Sequence, residues 1–219
     1  MVRAKDNAAS DSEPPSDEGR RERKKRETRQ AIADTAMRLF YERGFDEVTV
    51  SEVARAADVS EQTVYNYFPT KEALAFNHMP SLSEELVAGF AAQKPGASVT
   101  APFRAQTRNF LKRVASEPEA VLRTSRLIWR SNALRTALMA GWDAHAQAIA
   151  RAIGQSIGAK DGDLLMLILA NTLTWTHRTI LRTATGRLEA GESPAKVARA
   201  LEREARRAYD LLDRGLARH

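Results

Sequence analysis

Apolar residues recur along this chain at intervals of three and four, and no stretch alternates, so helix is the one regular element it predicts. Ile32, Ala36, Leu39 and Phe40 stripe a first helix, predicted from about Arg21 to Arg43 and stopped by Gly44. Phe45 and Val48 tuck the next loop down. Val50, Val53, Ala54 and Ala57 stripe a second helix; Val64 and Phe68 face inward from a third. Pro69 ends the third helix. Thr70 caps a fourth, in which Pro80 predicts a kink before it continues through Leu82, Leu86 and Phe90. Lys94–Ser98 reads as a loop. Further helices are predicted from Pro102 to Ala115, from Glu117 onward with Val121, Leu122, Leu127 and Ile128, and from Asn132 to Ile157 with a break near Gly141. Two more span 163–184 and 193–216, parted by Thr185-Gly186 and Gly191. The fold class is all-α, with about nine helices and no internal repeat.

The stretch TVSEVARAADVSEQTVYNYF, Thr49 to Phe68, carries the most information. Thr49 followed by Glu52 is a capping box, the hydroxyl and the carboxylate each satisfying an orphan backbone N–H. Asp58-Val59-Ser60 is a polar break holding one buried-type residue, and Ser60 can cap the following helix. That helix turns Val64 and Phe68 inward and leaves Glu61, Gln62, Thr63, Tyr65, Asn66 and Tyr67 pointing elsewhere. A helix-turn-helix has this form: one helix braces while the other enters the DNA major groove.

These residues, preceded by Ala31-Ile32, Leu39-Phe40 and Arg43-Gly44-Phe45 and followed by Pro69-Thr70-Lys71-Glu72-Ala73-Leu74, resemble the DNA-binding domain of TetR-type regulators. The resemblance covers roughly Arg26 to Leu86; beyond it only length and helical pattern agree. It implies an N-terminal three-helix domain at 21–70 (motif 49–68), after an arm at 1–20, and a larger ligand-binding and dimerising domain at 71–219. It also places the reading side chains at Glu61, Gln62, Thr63, Tyr65, Asn66 and Tyr67; Ser60, the cap beside them, is counted with the DNA-binding residues. Gln62 and Asn66 can each bridge adenine bidentately, and Thr63 offers a methyl to thymine or a hydroxyl to phosphate. Thr49, Ser51, Tyr65, Tyr67 and Lys71 suit phosphates, fixing register without reading bases. One departure is Asp58, at a turn position where the family usually has Gly; Asp is among the residues that tolerate left-handed backbone.

Composition narrows the alternatives. The 219 residues include no Cys, which excludes disulfides, thiolate metal sites and Cys nucleophiles. The longest apolar run, Leu164 to Ala170, is seven residues, far below a membrane span, and the N-terminus has no signal-peptide core, so a soluble cytoplasmic protein is expected. Residues 1–19 are too poor in apolar groups to offset their ordering entropy and are expected to be disordered. The net charge of +6 is uneven: residues 1–71 carry 13 Lys+Arg against 14 Asp+Glu, so the excess lies outside the DNA reader. Locally, however, Arg20, Arg21, Arg23, Lys24, Lys25, Arg26 and Arg29 crowd the approach to the motif and suit phosphate contact.

In the C-terminal part, LLMLILA at 164–170 is apolar all round and wants cover on more than one side. Val197, Leu201, Ala205, Ala208 and Leu212 form a clean stripe, with Arg199, Arg203, Arg206 and Arg207 outside it. The last two helices are expected to dimerise with a twofold mate, as the resemblance also implies. Phe103, Phe110, Trp129, Trp142 and Trp175 are candidates to line an apolar cavity, with His145 beside it. Residues 100–135 hold eight Lys+Arg, among them Arg126 and Arg130, against two Glu. That balance suggests an anionic, amphiphilic effector such as an acyl-CoA thioester. Neither His145 nor His177 has a partner at ligand spacing, so no metal and no cofactor is expected.

The function these readings converge on is a ligand-responsive, sequence-specific DNA-binding regulator, a homodimeric repressor released from operator DNA by a small molecule. An enzyme fits badly: no nucleophile elbow, phosphate loop, dinucleotide fingerprint or usefully spaced carboxylate pair is present. The alternative is a non-specific architectural DNA-binding protein, which would have no reader such as Gln62-Thr63-Asn66.

Overall fold

The computed structural model describes residues 17–77, 82–94, 96–160 and 162–216. Every regular element among them is a helix: α1 (Asp17–Arg43), α2 (Val50–Ala56), α3 (Glu61–Tyr67), α4 (Lys71–Phe76), α5 (Leu82–Ala91), α6 (Ala101–Ser116), α7 (Pro118–Arg130), α8 (Asn132–Ile157), α9 (Leu164–Glu189) and α10 (Pro194–Leu216). That is ten helices among the described residues where about nine were expected, because the kinked fourth helix is two elements, α4 and α5. The kink at Pro80 and the disorder expected of residues 1–16 lie outside the described residues. Three expectations are corrected. Residues 17–20, assigned to the arm, already belong to α1. α8 runs unbroken through Gly141, since a glycine inside a long helix costs only about 1 kcal/mol. α9 continues through Thr185-Gly186 to Glu189, the Thr185 hydroxyl donating back to the carbonyl of Arg182 at 3.0 Å, and the turn falls at Gly191, φ +82°.

Short helices in the N-terminal part depend on their caps, since seven residues cannot nucleate alone. The Thr49 hydroxyl accepts from Glu52 N–H at 3.2 Å and the Glu52 carboxylate accepts from Thr49 N–H at 2.8 Å, completing the capping box. Ser60 Oγ accepts from Thr63 N–H at 3.0 Å, and Thr70 Oγ1 from Ala73 N–H at 3.2 Å. Asp58 holds φ +54°, the left-handed turn between α2 and α3.

Burial falls into two clusters. The first joins Ile32, Ala36, Phe40, Phe45, Val48, Val53, Val64, Phe68 and Leu74. Each large side chain there contributes about 1.5–3 kcal/mol by leaving water. Leu127, Ile128 and Leu134, from the corner between α7 and α8, belong to this cluster too. α4, placed in the C-terminal domain by the sequence reading, packs on α1 and adds Leu74 and Ala75 to it. Two hydrogen bonds tie the same corner to α1 and its loop: Tyr41 hydroxyl with Thr124 hydroxyl at 3.0 Å, and Ser131 to the Asp46 carboxylate at 2.7 Å. The second cluster is the C-terminal core, with α6, α9 and α10 contributing Phe103, Leu111, Val114, Leu173, Ile180, Val197, Leu201, Ala205 and Tyr209. The apolar stripe of α10, read as a dimer surface, packs on α6 within the protomer: Val197, Leu201 and Ala205 are buried there.

Candidate nucleic-acid interface

The second helix of the motif divides as its sequence demands. Val64 is buried and Phe68, just past its end, is buried too, while Ser60, Glu61, Gln62, Tyr65 and Asn66 are exposed and Thr63 and Tyr67 half-buried. Gln62 Nε2 donates to Asn66 Oδ1 at 3.0 Å. The two amides, one turn apart, therefore stand as a pre-oriented pair whose remaining donors and acceptors face solvent. A half-buried or exposed polar row on a helix propped by an apolar underside is the surface a major groove requires.

The phosphate-type residues are placed differently from one another. Ser51 is exposed in the first turn of α2 and Tyr65 is 46% exposed on α3, both open to a backbone. Thr49 also donates its hydroxyl to Glu52 at 2.9 Å, so a phosphate must displace that carboxylate to take the proton. Ser60 and Thr63 hydroxyls bond each other at 2.8 Å. Lys71 is half-buried, with Nζ 4.2 Å from the centre of the Phe45 ring. Burial lowers its pKa, opposed by Asp46 and neighbouring carboxylates. Glu52 is held at a pKa of about 2, chiefly by the Thr49 backbone N–H and then by Arg43, whose Nη1 lies 2.7 Å from its carboxylate.

Arg29 is a residue the sequence reading credited only with phosphate contact. Its Nη1 donates to the Tyr67 carbonyl at 2.7 Å, its Nε donates to Asn77 Oδ1 at 3.1 Å, and its guanidinium lies 4.4 Å from the centre of the Phe68 ring. It ties α1 to the C-terminus of α3 and to the end of α4. Only the three-dimensional approach of residues 38 and 48 positions apart reveals this.

The residues expected around an effector do not form one site. Phe103 is fully buried core, edge-on to Phe90 and His177, and Phe110 is half-buried beside it. Trp129, Arg126 and Arg130 are exposed on α7, Arg126 within 3.8 Å of Glu189. Trp142 and His145 meet edge-to-face at 6.4 Å on α8, and Trp175 is 58% exposed on α9. Of the basic residues at 100–135, several already have protein partners. Arg104 lies 2.8 Å from both Asp210 and Asp213. Arg123 stacks on Tyr41 at 4.3 Å. Arg135 donates to the Trp129 carbonyl at 2.7 Å. They do not converge as a cradle for a nucleotide-bearing anion.

A family model described as bacterial regulatory proteins, tetR family, matches residues 32–77. Among curated proteins, the transcriptional regulator TcmR of Streptomyces glaucescens is 29% identical over 109 residues, 48% of this chain and 48% of its own length. The regulator EthR of Mycolicibacterium smegmatis is 27% identical over 76% of this chain and 79% of its own. Among solved structures, Salmonella enterica GusR shares the fold with a TM-score of 0.53 at 21% identity, over 85% of this chain and 95% of that one. The match to TcmR thus spans about half of that regulator's length.

Proposed function

We propose, given that this chain belongs to the tetR family of bacterial regulatory proteins, that it is a ligand-responsive, sequence-specific repressor that binds operator DNA as a homodimer. The observation that carries the DNA-reading part is the exposed row of Glu61, Gln62, Tyr65 and Asn66 on a helix whose other face, at Val64, is buried. Gln62 and Asn66 read base edges; Ser51, Tyr65 and the basic approach on α1 hold phosphates; α5 to α10 sense the effector and dimerise. Effector binding changes the separation of two reading heads that must meet successive major grooves about 34–36 Å apart. Dimerisation runs through α9 and α10, supported by an uncovered apolar face on α9. Leu164, Ile168 and Trp175 are exposed there beside the threonines 172, 179 and 183, in a trough of about 780 Å³ walled by Leu201, Ala205 and Ala208 of α10.

The test is a gel-shift titration on the DNA upstream of the protein's own gene and on a scrambled duplex. The native chain prefers the former, and Gln62→Ala or Asn66→Ala each removes about 1–3 kcal/mol of that preference while leaving affinity for the scrambled duplex unchanged. Equal affinity for both duplexes identifies an architectural binder instead.

A further inference from the structure

A second cavity, of about 240 Å³, lies between α8 and α9, lined by Met139, Trp142, Asp143, Thr174 and Arg178 and sharing Asn171 and Trp175 with the trough described above. Two residues that line it each carry a buried polar atom without a hydrogen-bond partner: the indole Nε1 of Trp142 and the hydroxyl of Thr174, a residue only 4% exposed. Buried donors left unpaired are costly, and few remain so in a folded protein. Arg178 adds an under-satisfied cation. Its guanidinium lies 4.3 Å from the centre of the Trp175 ring and 6.0 Å from that of Trp142. The hydrogen bond found for it is a weak one, from Nη2 to the Met139 thioether at 2.9 Å. Burial and the nearby Arg182 cation both lower the Arg178 pKa, against the pull of Asp143. Donors from three residues and two indole walls therefore border one small space, with the Asp143 carboxylate and the Asn171 amide oxygen as its acceptors.

We infer that this cavity binds a compact aromatic carboxylate, its carboxylate on Arg178 and the Thr174 and Trp142 donors, its ring against the indoles of Trp142 and Trp175. The cavity is smaller than the roughly 300–1,000 Å³ of sites that hold drug-sized ligands, so the ligand is a single-ring acid, and an acyl-CoA does not fit it. Asp143, exposed at the rim, disfavours a second anionic group and suits a ring substituent that donates, such as a hydroxyl. The inference rests on the effector-sensing reading above and names the class of effector.

Two of the three tryptophans line the cavity, so intrinsic fluorescence reports occupancy directly. The full-length protein is titrated with benzoate, 4-hydroxybenzoate and phenylacetate, and with benzamide as the uncharged control. Saturable quenching by at least one acid is expected, with 4-hydroxybenzoate binding more tightly than benzoate and benzamide at least tenfold more weakly. Arg178→Gln weakens the acid tenfold or more. Thr174→Val, which removes an unpaired hydroxyl without changing side-chain shape, weakens the acid while leaving the melting temperature of the unliganded protein equal or higher. That combination separates a binding role from a structural one. No saturation by any of the acids below 10 mM on the order expected for weak single-ring ligands, or equal binding of benzoate and benzamide, overturns the proposal. Operator binding is measured on the same preparations. A protein that shifts its operator yet takes none of the acids defeats the cavity assignment alone. One that takes an acid but shows no sequence preference in DNA upholds the cavity and defeats the repressor reading.

Discussion

His177 stands 3% exposed where α6, α9 and α10 meet. Its Nδ1 lies 2.9 Å from the Thr107 hydroxyl, which in turn lies 2.9 Å from the Tyr209 hydroxyl. Either direction of that hydrogen-bond chain is satisfied by a neutral ring, and burial holds the pKa at about 4 against an ordinary 6.5. As pH falls, the unfolded chain takes up this proton first. Stability from the buried neutral ring is therefore complete above about pH 6.5, declines down to about pH 4 and is level below. Between pH 7 and 5 the group accounts for a loss of about 2 kcal/mol. Urea midpoints at the two pH values check this: His177→Phe is less stable at pH 7 but shows a smaller drop to pH 5, and an undiminished drop places the titration elsewhere. Asp58 offers a second test. With φ at +54° it occupies backbone that suits glycine, so Asp58→Gly raises the unfolding free energy by about 0.5–1 kcal/mol. A fall would mean that the Asp side chain itself holds the turn.

The turn and caps of α2 and α3 were legible in advance because their causes are local: a hydroxyl, a carboxylate three residues on, an apolar pair one turn apart. Ser60→Ala is expected to cost about 1 kcal/mol in stability and to weaken operator binding, since α3 has only seven residues over which to absorb the lost cap. Ser60→Asp restores the cap but sets a negative charge against phosphate, so stability recovers while DNA affinity does not; recovery of both would mean that no phosphate approaches Ser60. What the sequence left open has non-local causes. The stripe on α10 shows that one face is buried, and periodicity is silent on whether the cover is α6 or a second copy. Tyr209, 1% exposed on that same face, carries no such signal, because a tyrosine reads equally well as surface. Gly186 reads as a helix end, yet α9 passes through it, held beyond it by Arg187 bonded bidentately to Glu192 at 2.9 and 2.8 Å. Trp142, Trp175 and Thr174 lie on two helices, and only their packing brings them to one cavity, which is why the aromatic residues proposed for an effector could be named but not grouped.

Assembly turns on which apolar surface the protomer leaves uncovered. Leu164, Ile168 and Trp175 stand 67%, 51% and 58% exposed along one side of α9. Leu201, in the neighbouring wall, is 2% exposed and belongs to the core shared with α6. A stable twofold interface needs roughly 800 Å² from each partner, so the stripe at 164–175 of the 26-residue α9 is joined in it by the neighbouring wall of α10. A twofold interface repeats every substitution, so Ile168→Glu introduces two like charges into one apolar interface at once. Sedimentation velocity at micromolar concentration is expected to show native dimers and Ile168→Glu monomers of unchanged helicity, whose operator affinity falls at least a hundredfold because each retains one half-site reader. Leu201→Glu behaves differently. It buries a charge inside the protomer, so helicity and solubility are lost before any question of association arises. Folded monomers from Leu201→Glu together with intact dimers from Ile168→Glu would overturn the assignment, confining the contact to the α10 stripe and leaving the α9 face to some other neighbour.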